Sequence, residues 1–301
     1  MSADSGAGPG VVEGAEVIGG CTVRYRVRGE GVPVALTPGG RLGMEVVAAT
    51  AEALARRGCR VLEWDRVNTG TSDVWIGPGT EHDRWSDDLA ELLGRLAMAP
   101  AWIAGGSVGA TVSLRTAIRH PEVARGVVVW SVPGGFLSSQ RFGYGLHVPF
   151  IDAAYRGGMT EVATTEFFAE RIAANPANAD RLAGMDPVAF GAAMRLWNQS
   201  YDPVGKPVVD CSETELRAIT APTLVFSGNE DYHPPEAAAA VHDLVVGSVL
   251  VDCPWEANEW VGRIQGVRSG SIFDLYLGMV DAILEFVGAH EGRAASPTIA
   301  G

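Results

Sequence analysis

A serine set among glycines, Gly105-Gly106-Ser107-Val108-Gly109, is the stretch of this chain best suited to chemistry. It follows the apolar run Ala101-Trp102-Ile103-Ala104 and precedes Ala110 to Arg119, which reads as a helix with Val112, Leu114 and Ile118 among its apolar residues. A strand that turns at once into a helix strains the residue at the bend, and only small neighbours let the two elements pass so closely. The pattern therefore holds the Ser107 hydroxyl above the sheet at a helix start, where the helix dipole favours developing negative charge. That is a nucleophile's position. A serine that merely caps a helix after a glycine-rich turn is the plainer alternative.

The elements around this turn alternate. Val11 to Ile18 and Thr22 to Arg28 flank Gly19-Gly20 as an antiparallel hairpin at a sheet edge. Val32 to Leu36 reads as a buried strand leading into Thr37-Pro38-Gly39-Gly40-Arg41, with a helix at about Met44 to Arg57 behind it. A strand from Arg60 to Trp64 enters Asp65-Arg66-Val67-Asn68-Thr69-Gly70-Thr71-Ser72, and a helix at about Trp85 to Leu96 precedes the serine's own strand. The β-branched run Val127 to Trp130 suits the buried middle of a parallel sheet. Strand-type runs then vanish from Pro133 to Ile219 and return at Thr223 to Phe226 and Val249 to Val251, with helices at about Pro235 to Val246 and Ser271 to Val287.

The fold class is therefore α/β: a mostly parallel sheet with helices on both faces and an inserted helical cap. The organisation expected is a floppy tail at 1–10, a core of 11–132 and 220–290, a cap at 133–219, and a second tail at 291–301.

Composition narrows the partners. The 301 residues are 47% hydrophobic and 20% charged, ordinary for a globular protein. With 23 basic against 36 acidic residues the net charge is -13, which disfavours nucleic acid and anionic membranes. No apolar stretch approaches the ~20 residues needed to cross a bilayer. Four scattered cysteines show neither metal spacing nor a disulfide framework, so no metal site is expected and a cytoplasmic setting is the simpler reading. The expected partner is a small-molecule substrate, with a homodimer left open.

The chain resembles the α/β-hydrolase family over nearly its full length. Gly105 to Leu114 followed by His120-Pro121-Glu122-Val123-Ala124 is similar to proline iminopeptidases and their relatives. Asp65 to Ser72 resembles the family's Asp-x-x-Gly-x-Gly-x-Ser loop, with Asn68 in place of the first glycine. The resemblance implies a serine hydrolase of an ester, lactone, amide or activated C–C bond, with no cofactor. It also implies an oxyanion hole from the amides of Val108 and of Gly40 or Arg41, with a tight Pro-Gly-Gly turn as the plainer reading of that loop. The Arg41 side chain is a candidate to hold a substrate carboxylate or carbonyl. The family's carboxylate falls in Ser227-Gly228-Asn229-Glu230-Asp231, where Asp231 has the commonest spacing and Glu230 is the near alternative.

The family's histidine follows the last strand, but Asp252 to Trp260 contains none. Of the six histidines, His120 closes the serine's helix, His242 lies on a later helix, His290 falls near the end, and His82 belongs to a polar loop. His233, in Asp231-Tyr232-His233-Pro234-Pro235, is on a loop that this fold delivers beside Ser107, and is the expected base. His147, in the cap among Phe142, Tyr144 and Phe150, is the second choice. If no imidazole reaches Ser107, the pocket suits a cyclase, lyase, isomerase or receptor instead. The cap's aromatics favour a medium-sized, partly apolar substrate. Glu161, Glu166 and Glu170 are spaced as a helix's polar face, which speaks against an aminopeptidase.

Overall fold

The computed structural model describes residues 10–294. Its strands are β1 (Val11–Ile18), β2 (Cys21–Arg28), β3 (Val32–Thr37), β4 (Cys59–Asp65), β5 (Ala101–Gly106), β6 (Ala124–Trp130), β7 (Thr223–Phe226) and β8 (Val249–Val251). They form one eight-stranded sheet in the order β1-β2-β4-β3-β5-β6-β7-β8. The β1–β2 hairpin and the β2–β4 pair are antiparallel, and every other pairing is parallel. Strand β5, which ends at the serine turn, is buried at every residue, as a parallel strand covered on both faces must be.

Alternation along the strands sorts side chains to the two faces. In β3, Val34 and Leu36 join Trp102 and Val128 on one face, packed beneath α1 (Ala48–Ala55) and α11 (Val280–Ala294). Ala35 points the other way, with Leu62 and Ile103, toward α2 (Glu81–Arg95) and α3 (Val108–Arg119). The same face continues under α9 (Pro235–Leu244), through Val127, Val129 and Val225. This two-faced burial fixes the carboxyl ends of β3, β5 and β7 along one edge, where the loops of interest emerge.

Between β6 and β7 come α4 (Gly135–Thr164), α5 (Glu166–Ala174), α6 (Ala177–Ala183), α7 (Pro187–Gln199) and α8 (Glu213–Arg217). Phe150, Phe168, Phe190, Met194 and Trp197 give α4, α5 and α7 a core of their own, which also takes in Val74 and Trp75 from the loop after β4. Finally α10 (Ala257–Ile264) follows β8, and a 3-10 run, Ile272–Met279, leads into α11.

Several boundaries differ from the sequence reading. Thr80 caps α2 by accepting from the Asp83 amide at 3.1 Å, so that helix starts early and takes in His82, which is buried rather than on a loop. Gly158, with φ 65° and ψ −156°, is non-helical and breaks the span α4 into two helices that meet at a kink. The tail assigned to 291–301 begins too early, because α11 runs on to Ala294. Glu291 accepts from Trp102 Nε1 at 2.9 Å and pairs with Arg125 at 3.1 Å. The remaining tail residues, 1–9 and 295–301, lie outside the described residues. No described helix is long and apolar enough to cross a membrane.

Candidate active site

A single residue separates β5 from α3. Ser107 carries φ 55° and ψ −125°, a region costing about 1–3 kcal/mol that persists only where the surroundings impose it. Here they do. The Ser107 amide is held by the Trp130 and Ser131 carbonyls at 3.2 and 3.1 Å. A Cβ at Gly105 would overlap the Gly109 carbonyl, and one at Gly109 would overlap the Thr37 carbonyl at the end of β3. The two glycines thus let the strand, the helix and the β3 loop converge on Ser107, which is buried with 8% of its surface exposed.

The loop after β7 meets it. His233 Nε2 accepts from Ser107 Oγ at 2.9 Å, while His233 Nδ1 donates to the Glu230 carboxylate. An ionised carboxylate only accepts hydrogen bonds, so Glu230 fixes the proton on Nδ1 and leaves the Nε2 lone pair facing the serine. The loop is shaped for this contact. The His233 amide donates back to the Glu230 carbonyl at 3.0 Å, and Glu230 Oε2 accepts from the Tyr232 amide at 2.7 Å. Gly228 lies directly under the His233 carbonyl, where a Cβ would collide with backbone. Phe142 of α4 and Trp260 of α10 flank the imidazole, with ring centroids 5.8 and 5.4 Å away.

Two sequence assignments are corrected. Asp231 does not touch His233; it is exposed and pairs with Arg141 at 3.4 Å. The reason is the tight turn, which folds residue 230 back onto 233 and turns residue 231 outward. The Arg41 side chain is not free for substrate. It is buried, pairs with Glu81 at 2.8 Å, donates to the Leu146 carbonyl at 2.7 Å, and lies against the rings of Phe150, Phe167 and Trp197. That partner is 40 residues distant in sequence, and no local signal foretold it.

The other imidazoles are engaged elsewhere. His147 donates through Nδ1 to the Gly143 carbonyl at 3.1 Å. Burial, reinforced by the Arg41 charge, pushes its pKa down to about 2. His82 pairs with Asp210 at 3.1 Å and meets the Tyr201 hydroxyl at 3.3 Å, a buried polar cluster that the sequence reading missed. His120 pairs with Asp87 at 2.7 Å. Glu166 and Glu170 are exposed, as a solvated helix face requires.

The candidate oxyanion donors lie on the two segments that border Ser107. Val108 opens α3, so its N–H has no intrahelical acceptor. Gly39 packs against the elbow, its Cβ position only 3.2 Å from Ser107 Cβ, and Gly40 follows with φ 48°. Among the described residues, the amides of Gly40, Arg41 and Val108 donate to no other protein group. No three His, Cys, Asp or Glu side chains among the described residues are grouped to hold a metal ion.

No family model matches the chain. It is 26% identical over 231 residues to a non-heme haloperoxidase from Rhodococcus erythropolis, covering 73% of this chain and 82% of that protein. Among solved structures it superposes on a hydrolase from Pseudomonas aeruginosa with a TM-score of 0.61 at 21% identity, covering 95% of this chain and all of the other (100%). The enol-lactonase from Burkholderia xenovorans gives a TM-score of 0.58 at 18% identity over 91% of this chain and 100% of that one. With its strand order and the serine turn after β5, the chain is an α/β-hydrolase-fold protein.

Proposed function

We propose that this chain is a serine hydrolase acting on an ester or lactone of a medium-sized, partly apolar small molecule. The observation that carries the reading is the continuous hydrogen-bonded path from Ser107 Oγ through the His233 ring to Glu230. In it, His233 Nε2 takes the Ser107 proton as Oγ attacks the carbonyl carbon, and Glu230 stabilises the imidazolium that forms. The amides of Val108 and of Gly40 or Arg41 receive the negative oxygen of the tetrahedral intermediate. His233 then passes its proton to the departing alkoxide oxygen. Water repeats the sequence on the acyl-enzyme and releases the acid.

Several features support an apolar acyl or alcohol portion. Phe142 and Trp260 flank the base, and the α4–α8 segment, read as a cap, has an aromatic interior. One protein of the same fold is named as an enol-lactonase, which agrees with ester-type chemistry. The cyclase, lyase and receptor readings drew their weight from an absent base, and an imidazole 2.9 Å from Ser107 removes that reason to prefer them. A fluorophosphonate probe tests the proposal. Wild-type protein is expected to label at one site, and Ser107→Ala is expected to label at none; an unlabelled wild type contradicts it.

A further inference from the structure

The loop that supplies the candidate oxyanion amides is gripped from behind by a buried arginine. Arg66, the residue after β4, has no exposure at all (0%) and lies over the Trp85 ring at 4.5 Å. One of its terminal nitrogens donates to the Gly40 carbonyl at 2.9 Å, with longer approaches to the carbonyls of Leu42 at 3.4 Å and Gly39 at 3.5 Å. Its Nε and other terminal nitrogen have no partner, so the buried guanidinium rests chiefly on this one loop. We propose that Arg66 is a positioning residue for the oxyanion hole: by holding the Gly40 carbonyl it aims and polarises the peptide whose N–H faces the substrate oxygen. The inference rests on the serine-hydrolase reading above.

The geometry follows from the peptide plane. In a trans peptide the C=O and the next N–H point in opposite directions. Drawing the Gly40 carbonyl onto Arg66 therefore turns the Arg41 N–H away from it, and that amide has no acceptor among the described residues. Gly39, at the same bend, packs on Ser107 Cβ, so the loop runs between guanidinium and nucleophile. A full positive charge on the carbonyl side also strengthens the amide as a donor, because hydrogen bonds in a chain polarise one another in a water-poor interior. The charge persists at neutral pH: burial lowers the Arg66 pKa only to about 10.

Arg66→Met and Arg66→Lys test the role, read with p-nitrophenyl acetate, a fluorophosphonate and phenylboronic acid, whose adduct with a serine is tetrahedral and anionic. Losing one well-aimed oxyanion donor costs roughly 10²–10³ in kcat, so misaiming it in Arg66→Met is expected to cost about 10- to 100-fold. KM should stay within about threefold, and boronate affinity should fall by about the same factor as kcat/KM. Arg66→Lys should keep activity within about tenfold at neutral pH, then lose it as pH rises, because an ammonium starts from a lower pKa and burial lowers it further. Wild-type protein should lack that alkaline loss. If Arg66→Met does not fold, the Arg66→Lys profile decides alone, and a profile parallel to wild type overturns the inference. Wild-type labelling rate and boronate affinity in a folded Arg66→Met overturn it too. An unlabelled wild type overturns the serine-hydrolase reading itself, and this inference with it, and is recognised by needing no variant.

Discussion

The loops after β7 and β8 emerge side by side at one sheet edge, tied where Asn229 Nδ2 donates to the Trp255 carbonyl at 2.5 Å. They divide the work unequally. The first carries both the carboxylate and the imidazole, three residues apart, and presents Nε2 to Ser107. The second, where the family resemblance leads a histidine to be expected, has none, and α10 behind it contributes an apolar wall instead: Trp260 lies edge-to-face with His233 at an interplanar angle of 88°. The contrast teaches that the candidate base is defined by a point in space beside Ser107, which the β7 loop reaches here. What the β7 loop needs in order to reach it is a turn tight enough to fold its own carboxylate back beneath the ring.

Changes in the β7 loop should accordingly cost most. His233→Ala is expected to lower kcat for an activated ester by about 10⁴–10⁶-fold, comparable to losing Ser107, because the pair acts as a unit. Glu230→Gln removes the group that fixes the tautomer and should cost roughly 10²–10⁴-fold in kcat. Asp231→Asn, one residue away, should stay within about twofold, since an exposed ion pair contributes little. Near-equal losses from these two variants would erase the distinction between the neighbours. Gly228→Ala pushes on the backbone that carries His233. It should lower kcat by about 10- to 100-fold and also lower the melting temperature, as a forced backbone shift does.

On α10, beyond the β8 loop, Trp260→Ala leaves the imidazole without its wall. A loss of about tenfold in kcat is expected, accompanied by a destabilisation of about 3–5 kcal/mol in denaturant titration. A similarly small effect to that of Asp231→Asn falls on the other candidate base. With a pKa near 2, His147 is neutral from mildly acidic to alkaline pH, so it has no titration to contribute to an activity profile between pH 5 and 8. His147→Ala should change kcat by less than about threefold and leave the shape of that profile unchanged.

Much of this was legible in the chain. Alternating buried strands and helices gave the sheet, because two-faced burial requires apolar runs such as Val127-Val128-Val129. The serine turn was readable because the close passage of β5, α3 and the Thr37 carbonyl admits only glycine at 105 and 109. His233 emerged from knowing which loop ends at that edge. What remained hidden depends on side-chain direction or distant pairing. Glu230 and Asp231 have the same chemistry, and only the backbone bridge between 230 and 233 decides which one faces the ring. Arg41 looked available until Glu81 and the Leu146 carbonyl were brought beside it, and Arg66 showed no role until the Gly40 carbonyl lay within reach.

The arrangement of acid and base on one loop is tested most directly by proton NMR of the His233 Nδ1–H, which a hydrogen bond to a buried carboxylate moves strongly downfield. The resonance is expected in wild-type protein and in Asp231→Asn, and is expected to vanish in Glu230→Gln and His233→Ala. A signal that survives Glu230→Gln, or that disappears only in Asp231→Asn, would contradict the assignment.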